Sequence, residues 1–155
     1  MLNLIKEYLK KQDWQFSKLE DKNVLLFGIG GKNGNFQCVA DVNEEEQKFI
    51  FFSICGANAP LEKRSEVLGL LNQLNYTLFL GHFDMDVEDG EIRYKTSILY
   101  KHITPNTDLI DQIIMTSIVA MDTYLPAIMG VMFGGLTPTQ AIEAIDKEGP
   151  DTAKK

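Results

Sequence analysis

The stretch GHFDMDVEDGEIRYK, Gly81–Lys95, decides how the rest of the chain is read. Its acids and its glycine resemble a calcium-binding loop. Counting from Asp84 as first ligand, such a loop needs glycine at the sixth place and glutamate at the twelfth. Asp89 and Lys95 stand there instead. Asp89-Gly90 is instead a two-residue hairpin signal, because a type I′ turn needs positive φ at both central positions. That turn predicts Val87 opposite Ile92, Met85 opposite Tyr94 and Phe83 opposite Thr96 on one face. On the other face it sets Asp86 against Arg93 and Asp84 against Lys95. Each such cross-strand pair of opposite charges contributes about 0.2–1 kcal/mol. The acids then belong to a sheet. At the base of the hairpin Leu80 falls opposite Leu99, with Leu78 nearby, and these three form a candidate interface.

Working outward, the first periodic segment is a helix from about Asn3 to Gln12, with Leu4, Ile5, Tyr8 and Leu9 on one face. The runs WQFSKL, NVLLFGIG, FQCVADV and KFIFFSIC follow, separated by EDK, GKNG and NEEEQ. These are strands and turns, and the shortest connections make an antiparallel meander. KFIFFSIC is apolar on both faces, so it asks for cover on both. A second helix starts near Pro60 and buries Leu61, Val67, Leu68, Leu71 and Leu74. After the hairpin, a long apolar helix is expected to kink or break at Pro126 and to stop at Gly134-Gly135. A last helix opens on Thr137, Pro138 and Gln140, a capping box. The order α-ββββ-α-ββ-α-α is α+β: one domain over residues 1–155, in which a four-stranded meander plus a two-stranded hairpin pack with helices.

Composition narrows the functions. The net charge of −7 argues against nucleic acid, since neutralising phosphates needs a basic surface. Between Lys101 and Lys147 there is no Lys or Arg. Residues 113–135 are long enough to cross a membrane, but Asp122 near their centre costs about 3 kcal/mol there. A buried helix and no membrane role are expected. The beginning MLNLIKEYLKKQ lacks the basic leader and apolar run of a secretion signal, which points to the cytoplasm. Cys38 and Cys55, without C-x-x-C spacing, read as buried thiols in a reducing compartment.

Reactive constellations are sparse. His82, Asp84 and Asp86 alternate on one strand face, as metal ligands can, yet Arg93 and Lys95 oppose them and would compete with a cation. FGIGGKNGN carries neither phosphate-loop pattern and precedes a strand, so it reads as a hairpin turn. His82 and His102 are the only histidines, and no nucleophile–base pair is evident. No enzyme, cofactor or metal is expected. Glu44-Glu45-Glu46 reads as a solvated turn. Asp122 shares a helical face with Ile118, Leu125 and Met129, where an unpaired carboxylate is costly. Its partner is a nearby backbone donor, a tyrosine or a subunit boundary; alternatively Met121, Asp122 and Tyr124 line a ligand pocket with a perturbed acid. Met115, Met121, Met129 and Met132 read as packing. The two-sided strand and the apolar hairpin base together predict a homodimer.

The runs LNQLNYTLFLGHFDMDVEDGEIRYKTSI and MDTYLPAIMGVMFGGLTPTQAI resemble the YbjN family, bacterial proteins labelled sensory-transduction regulators. Asn75-Tyr76, Gly90 to Tyr94, Asp122 to Pro126, and Thr137-Pro138 with Ala141-Ile142 carry the likeness. The resemblance implies a fold like that of type III secretion chaperones, small acidic homodimers that bind extended segments of client proteins. It brings no catalytic residue. The expected function is a non-enzymatic, chaperone- or adaptor-like protein-binding module with a protein client. The rival is a small-ligand-binding regulator using the long-helix pocket.

Overall fold

The structure, a computed structural model, describes residues 1–148; of the single domain expected over 1–155, residues 149–155 lie outside the described part. Helix α1 (Leu2–Lys11) leads into β1 (Ser17–Lys18), β2 (Val24–Gly30), β3 (Asn35–Asn43) and β4 (Lys48–Cys55). A 3-10 turn (Leu61–Lys63) opens α2 (Arg64–Thr77), then come β5 (His82–Met85), β6 (Ile92–Leu99), α3 (Thr107–Met132) and α4 (Pro138–Glu148). The expected α+β order is therefore observed. The six strands form one antiparallel sheet in the order β1-β2-β3-β4-β6-β5, so the hairpin extends the meander through β4–β6 pairing.

Helix α3 packs on β4 and β6, and α2 packs on β5, all on one face. Period-two alternation explains which side chains they bury. Phe49, Phe51, Ser53 and Cys55 of β4 are buried, while Lys48, Ile50, Phe52 and Ile54 are only half-buried on the other face. Phe49 and Phe51 are fully enclosed, each burial contributing about 1.5–3 kcal/mol. Two polar groups in this layer satisfy each other. Ser53 and Ser117 hydroxyls lie 2.9 Å apart, and Ser117 donates to the Tyr94 carbonyl at 3.2 Å. From α1, Tyr8 meets Trp14 edge-on, and Trp14 stacks on Phe27 at 5.7 Å, which closes the β2 end of the core.

Four local expectations are corrected. First, β1 spans two residues only, because the Trp14 ring turns inward onto Phe27 and leaves little chain to pair with β2. Second, α2 buries Val67, Leu70, Leu71 and Leu74, whereas Leu61 and Leu68 are exposed: Leu61 lies in the 3-10 turn before the α-helix, and Leu68 sits about 100° from Val67, off the buried stripe. Third, α3 runs unbroken through Pro126.

The fourth is the hairpin register. Phe83 pairs with Tyr94, Asp84 with Arg93 and Met85 with Ile92, two residues away from the predicted alignment. The loop is four residues long rather than two. Asp86 N–H donates to the Glu91 carbonyl at 2.9 Å, and Gly90 N–H to the Asp86 carbonyl at 2.8 Å. The Asp86 and Asp89 carboxylates accept N–H bonds two residues on, from Glu88 and Glu91, both at 2.8 Å. These Asx turns hold the loop open by two residues. Only Gly90 needs positive φ, at 80°, and a side chain there would meet the Ala59 carbonyl. A slip of two keeps every side chain on its predicted face. It moves Asp86 from the ladder into the turn and leaves Asp84 to hold Lys95 diagonally at 3.1 Å. Leu80 precedes β5 and has no strand partner; Leu99 pairs with Lys48 of β4.

Candidate interaction surface

Asp122 is tied to the turn between β2 and β3. Its carboxylate accepts the backbone N–H of Lys32 at 3.0 Å and of Asn33 at 2.9 Å. The approach requires glycine at position 31, where a Cβ would lie 2.1 Å from the carboxylate oxygen. Asn33 answers with its side-chain amide, which donates to the Asp122 carbonyl at 2.9 Å. That carbonyl is the one Pro126 cannot serve, having no N–H four residues on. The glycine-rich hairpin thus completes the long helix where proline interrupts its ladder.

At about 100° per residue, Met121 and Tyr124 lie about 60° apart on α3, whereas Asp122 is about 100° from the first and about 160° from the second. Met121 is fully buried in the core. Asp122 borders a cleft of about 380 Å³ with Trp14, Met115, Val119 and the β2 glycines. Tyr124 packs edge-on against Phe83 at 5.9 Å.

At the opposite edge, Asn75 of α2 grips β5. Its side-chain oxygen accepts Phe83 N–H at 2.7 Å, and its amide donates to the Phe83 carbonyl at 2.9 Å. An edge strand offers such groups to any passing strand, and here a side chain occupies them. Asp84 lies among His82 at 3.3 Å, Lys95 at 3.1 Å and Arg93 at 3.8 Å.

Just beyond Asn75 the chain exposes its most prominent apolar side chains. Tyr76 is 92% exposed and Phe79 is 96% exposed. Leu80 beside them turns toward α3, lining an apolar crevice of about 200 Å³ with Leu109 and Ile113. Its carbonyl accepts the Tyr94 hydroxyl. Of the expected interface residues, Leu78 is half-buried against the core, Leu80 lies on this connection, and Leu99 is exposed on the far face of the sheet. The three do not form one patch. Phe79 escaped the sequence reading because it belongs to no periodic element; its position just past the helix end was the only signal.

The sheet face away from the helices is the second uncovered surface. One register row runs Leu26, Val39, Phe52, Lys95 and His82 across five strands. Arg93 sits over the Phe52 ring at 4.8 Å. Beside it Gly28 and Gly30 floor a trough of about 710 Å³, rimmed by Gln37, Ile54, Asn58 and Glu91.

The family model of YbjN, described as "Putative bacterial sensory transduction regulator", matches residues 2–130. The chain belongs to the YbjN family. A solved structure described as YbjN, "a putative transcription regulator from E. coli", is similar over 78% of this chain and 93% of that one. The identity is 11% and the TM-score 0.49. No curated protein sequence matches the chain. The family model spans both halves of the Asn33–Asp122 junction and the Asn75 grip, so in this YbjN chain those contacts fall inside the matched region.

Proposed function

We propose that this YbjN-family chain is a non-enzymatic regulatory module of the cytoplasm that works as a homodimer and binds a polypeptide partner, in the manner of a chaperone or adaptor. The observation that carries the reading is the exposed pair Tyr76 and Phe79 beside the Leu80 crevice. Aromatic side chains that stand free next to an apolar slot are the usual anchors of protein contacts. The two buried thiols, free of any disulfide, support a reducing compartment. The test is affinity capture from the native cytoplasm with the wild-type chain and with Phe79→Asp. A stoichiometric protein partner that the variant loses supports the reading; reproducible absence of one sinks it. The cleft beside Asp122 supports the rival, a small-ligand regulator, and a metabolite-panel thermal shift abolished by Val119→Trp would favour it instead.

A further inference from the structure

The uncovered sheet face carries Leu26, Val39, Ile50, Phe52 and Ile54, with Val24 and Leu99 at its margin. The first five are half-buried, although no helix among the described residues packs over them. A face offers side chains only, because the backbone groups are consumed by the ladder. Its cover must therefore be another layer, a sheet or a helix, and not an added strand. Strand addition is hindered at the β5 edge in any case, by Asn75 on Phe83.

Charge distinguishes the candidate covers. The chain carries −7 overall. On this face Lys48, Arg93 and Lys95 stand against Asp41, Asp84 and Glu91, three cations against three carboxylates. Two acidic copies meet there without stacking like charge. Arg93 and Lys95 of β6 share Asp84 and Glu91 within their own copy, and Asp41 lies apart on β3. A two-fold axis along β4 lays the β6 row of one copy over the β3 row of the other, which brings Lys95 and Arg93 toward the partner's Asp41. Such a contact is isologous and self-complementary.

The size is adequate. Four strands about 4.8 Å apart and seven residues at about 3.3 Å each cover on the order of 450 Å² in projection. With side-chain relief, two copies bury roughly 1,000 Å² or more, the threshold for a specific interface. Two twisted sheets stack face to face at about 10 Å as a sandwich.

We infer that a second copy of this chain covers the sheet face centred on Phe52, which leaves the Tyr76–Phe79 patch free for the client. This rests on the homodimer reading above and names its surface.

The experiment is mass by light scattering at micromolar concentration. The wild-type chain is expected at twice its own mass. Phe52→Asp and Val39→Asp, on a half-exposed face and checked by circular dichroism, should weaken the dimer about 100-fold or more. Phe79→Asp should not change the mass. Asp41→Lys should weaken the dimer, and adding Lys95→Asp should restore it. Should an aspartate variant fail to fold, Phe52→Cys with a short bismaleimide reports on the same face. Cross-linked dimer is expected there and not from Phe79→Cys or from the wild-type chain, whose Cys38 and Cys55 are buried. A wild-type dimer indifferent to Phe52→Asp and Val39→Asp, without the Phe52→Cys cross-link, overturns the assignment of the face alone. A wild-type monomer overturns the homodimer reading with it.

Discussion

Asn33 donates its side-chain amide to the Asp122 carbonyl, 2.9 Å away, replacing the hydrogen bond that Pro126 cannot make. A turn between two strands thereby repairs a helix on the opposite layer. Removing the amide by Asn33→Ala should cost about 1 kcal/mol, the usual net value for a partly exposed hydrogen bond. In a Pro126→Ala background the alanine N–H can serve the same carbonyl, so the cost of Asn33→Ala should fall well below that. Urea midpoints for the four chains form a double-mutant cycle. Equal costs in both backgrounds would show that the two residues are not linked.

Asn75 makes a second junction of this kind, holding both main-chain groups of Phe83. Asn75→Ala leaves a donor and an acceptor of the edge strand unpaired and should destabilise by about 1–3 kcal/mol. Asn75→Asp keeps the acceptor for Phe83 N–H but sets a carboxylate against its carbonyl, and should cost as much or more. Hydrogen exchange at the Phe83 amide checks the assignment, since protection there depends on the side chain. Unchanged exchange in Asn75→Ala would dismiss the edge lock.

Backbone geometry makes the sharpest demand at Gly90. A Cβ would sit 2.2 Å from the Ala59 carbonyl oxygen, and φ is 80°. Left-handed backbone alone costs about 1–3 kcal/mol in a residue without the freedom of glycine, and the clash adds to it. Gly28→Ala is the control, with nothing within 4 Å of the added methyl. Thermal melts should separate the two clearly; a Gly90→Ala chain as stable as Gly28→Ala would contradict the loop described here.

Much of this fold was legible because alternation and helical periodicity are properties of the chain itself. KFIFFSIC announced a central strand, of which one face is buried in the core, and the Thr137–Gln140 capping box appears as read, with reciprocal bonds at 2.9 and 3.3 Å. The hairpin faces were also legible, because a slip of two residues preserves them. The register itself was not. Asp86 and Asp89 bond the backbone two residues on, and that choice between ladder and turn is made by side chains of ordinary composition. The partners of Asp122 and Asn75 were hidden for another reason. Asn33 lies 89 residues from Asp122 in the sequence, and only the packing of α3 across the sheet brings them together. Leu61 was misplaced because it lies in a 3-10 turn that precedes the α-helix, with fewer residues per turn.

Alkaline titration tests the packing of the buried rings. Burial pushes the Tyr94 hydroxyl up to about 12, with Tyr124 nearby adding to the shift. Tyr100 is likewise raised to about 12 by burial and by its bond to the Glu44 carboxylate, which lies 2.9 Å away. Tyr8 is raised further by burial and by its bond to Asp111 at 2.7 Å. An unfolded tyrosine ionises near pH 10. In each case the fold favours the neutral form, so this contribution to stability is complete below about pH 10 and is lost as pH climbs from there to about 12. Unfolding free energy should therefore be level through neutral pH and drop above pH 10, while tyrosinate absorbance at 295 nm shows a first step and a late step that coincides with loss of helix. Tyr100→Phe should remove part of the alkaline slope. If all the tyrosines ionise near pH 10 with the fold intact, the environments assigned to Tyr94 and Tyr100 are wrong, and with them the packing of α3 on β6.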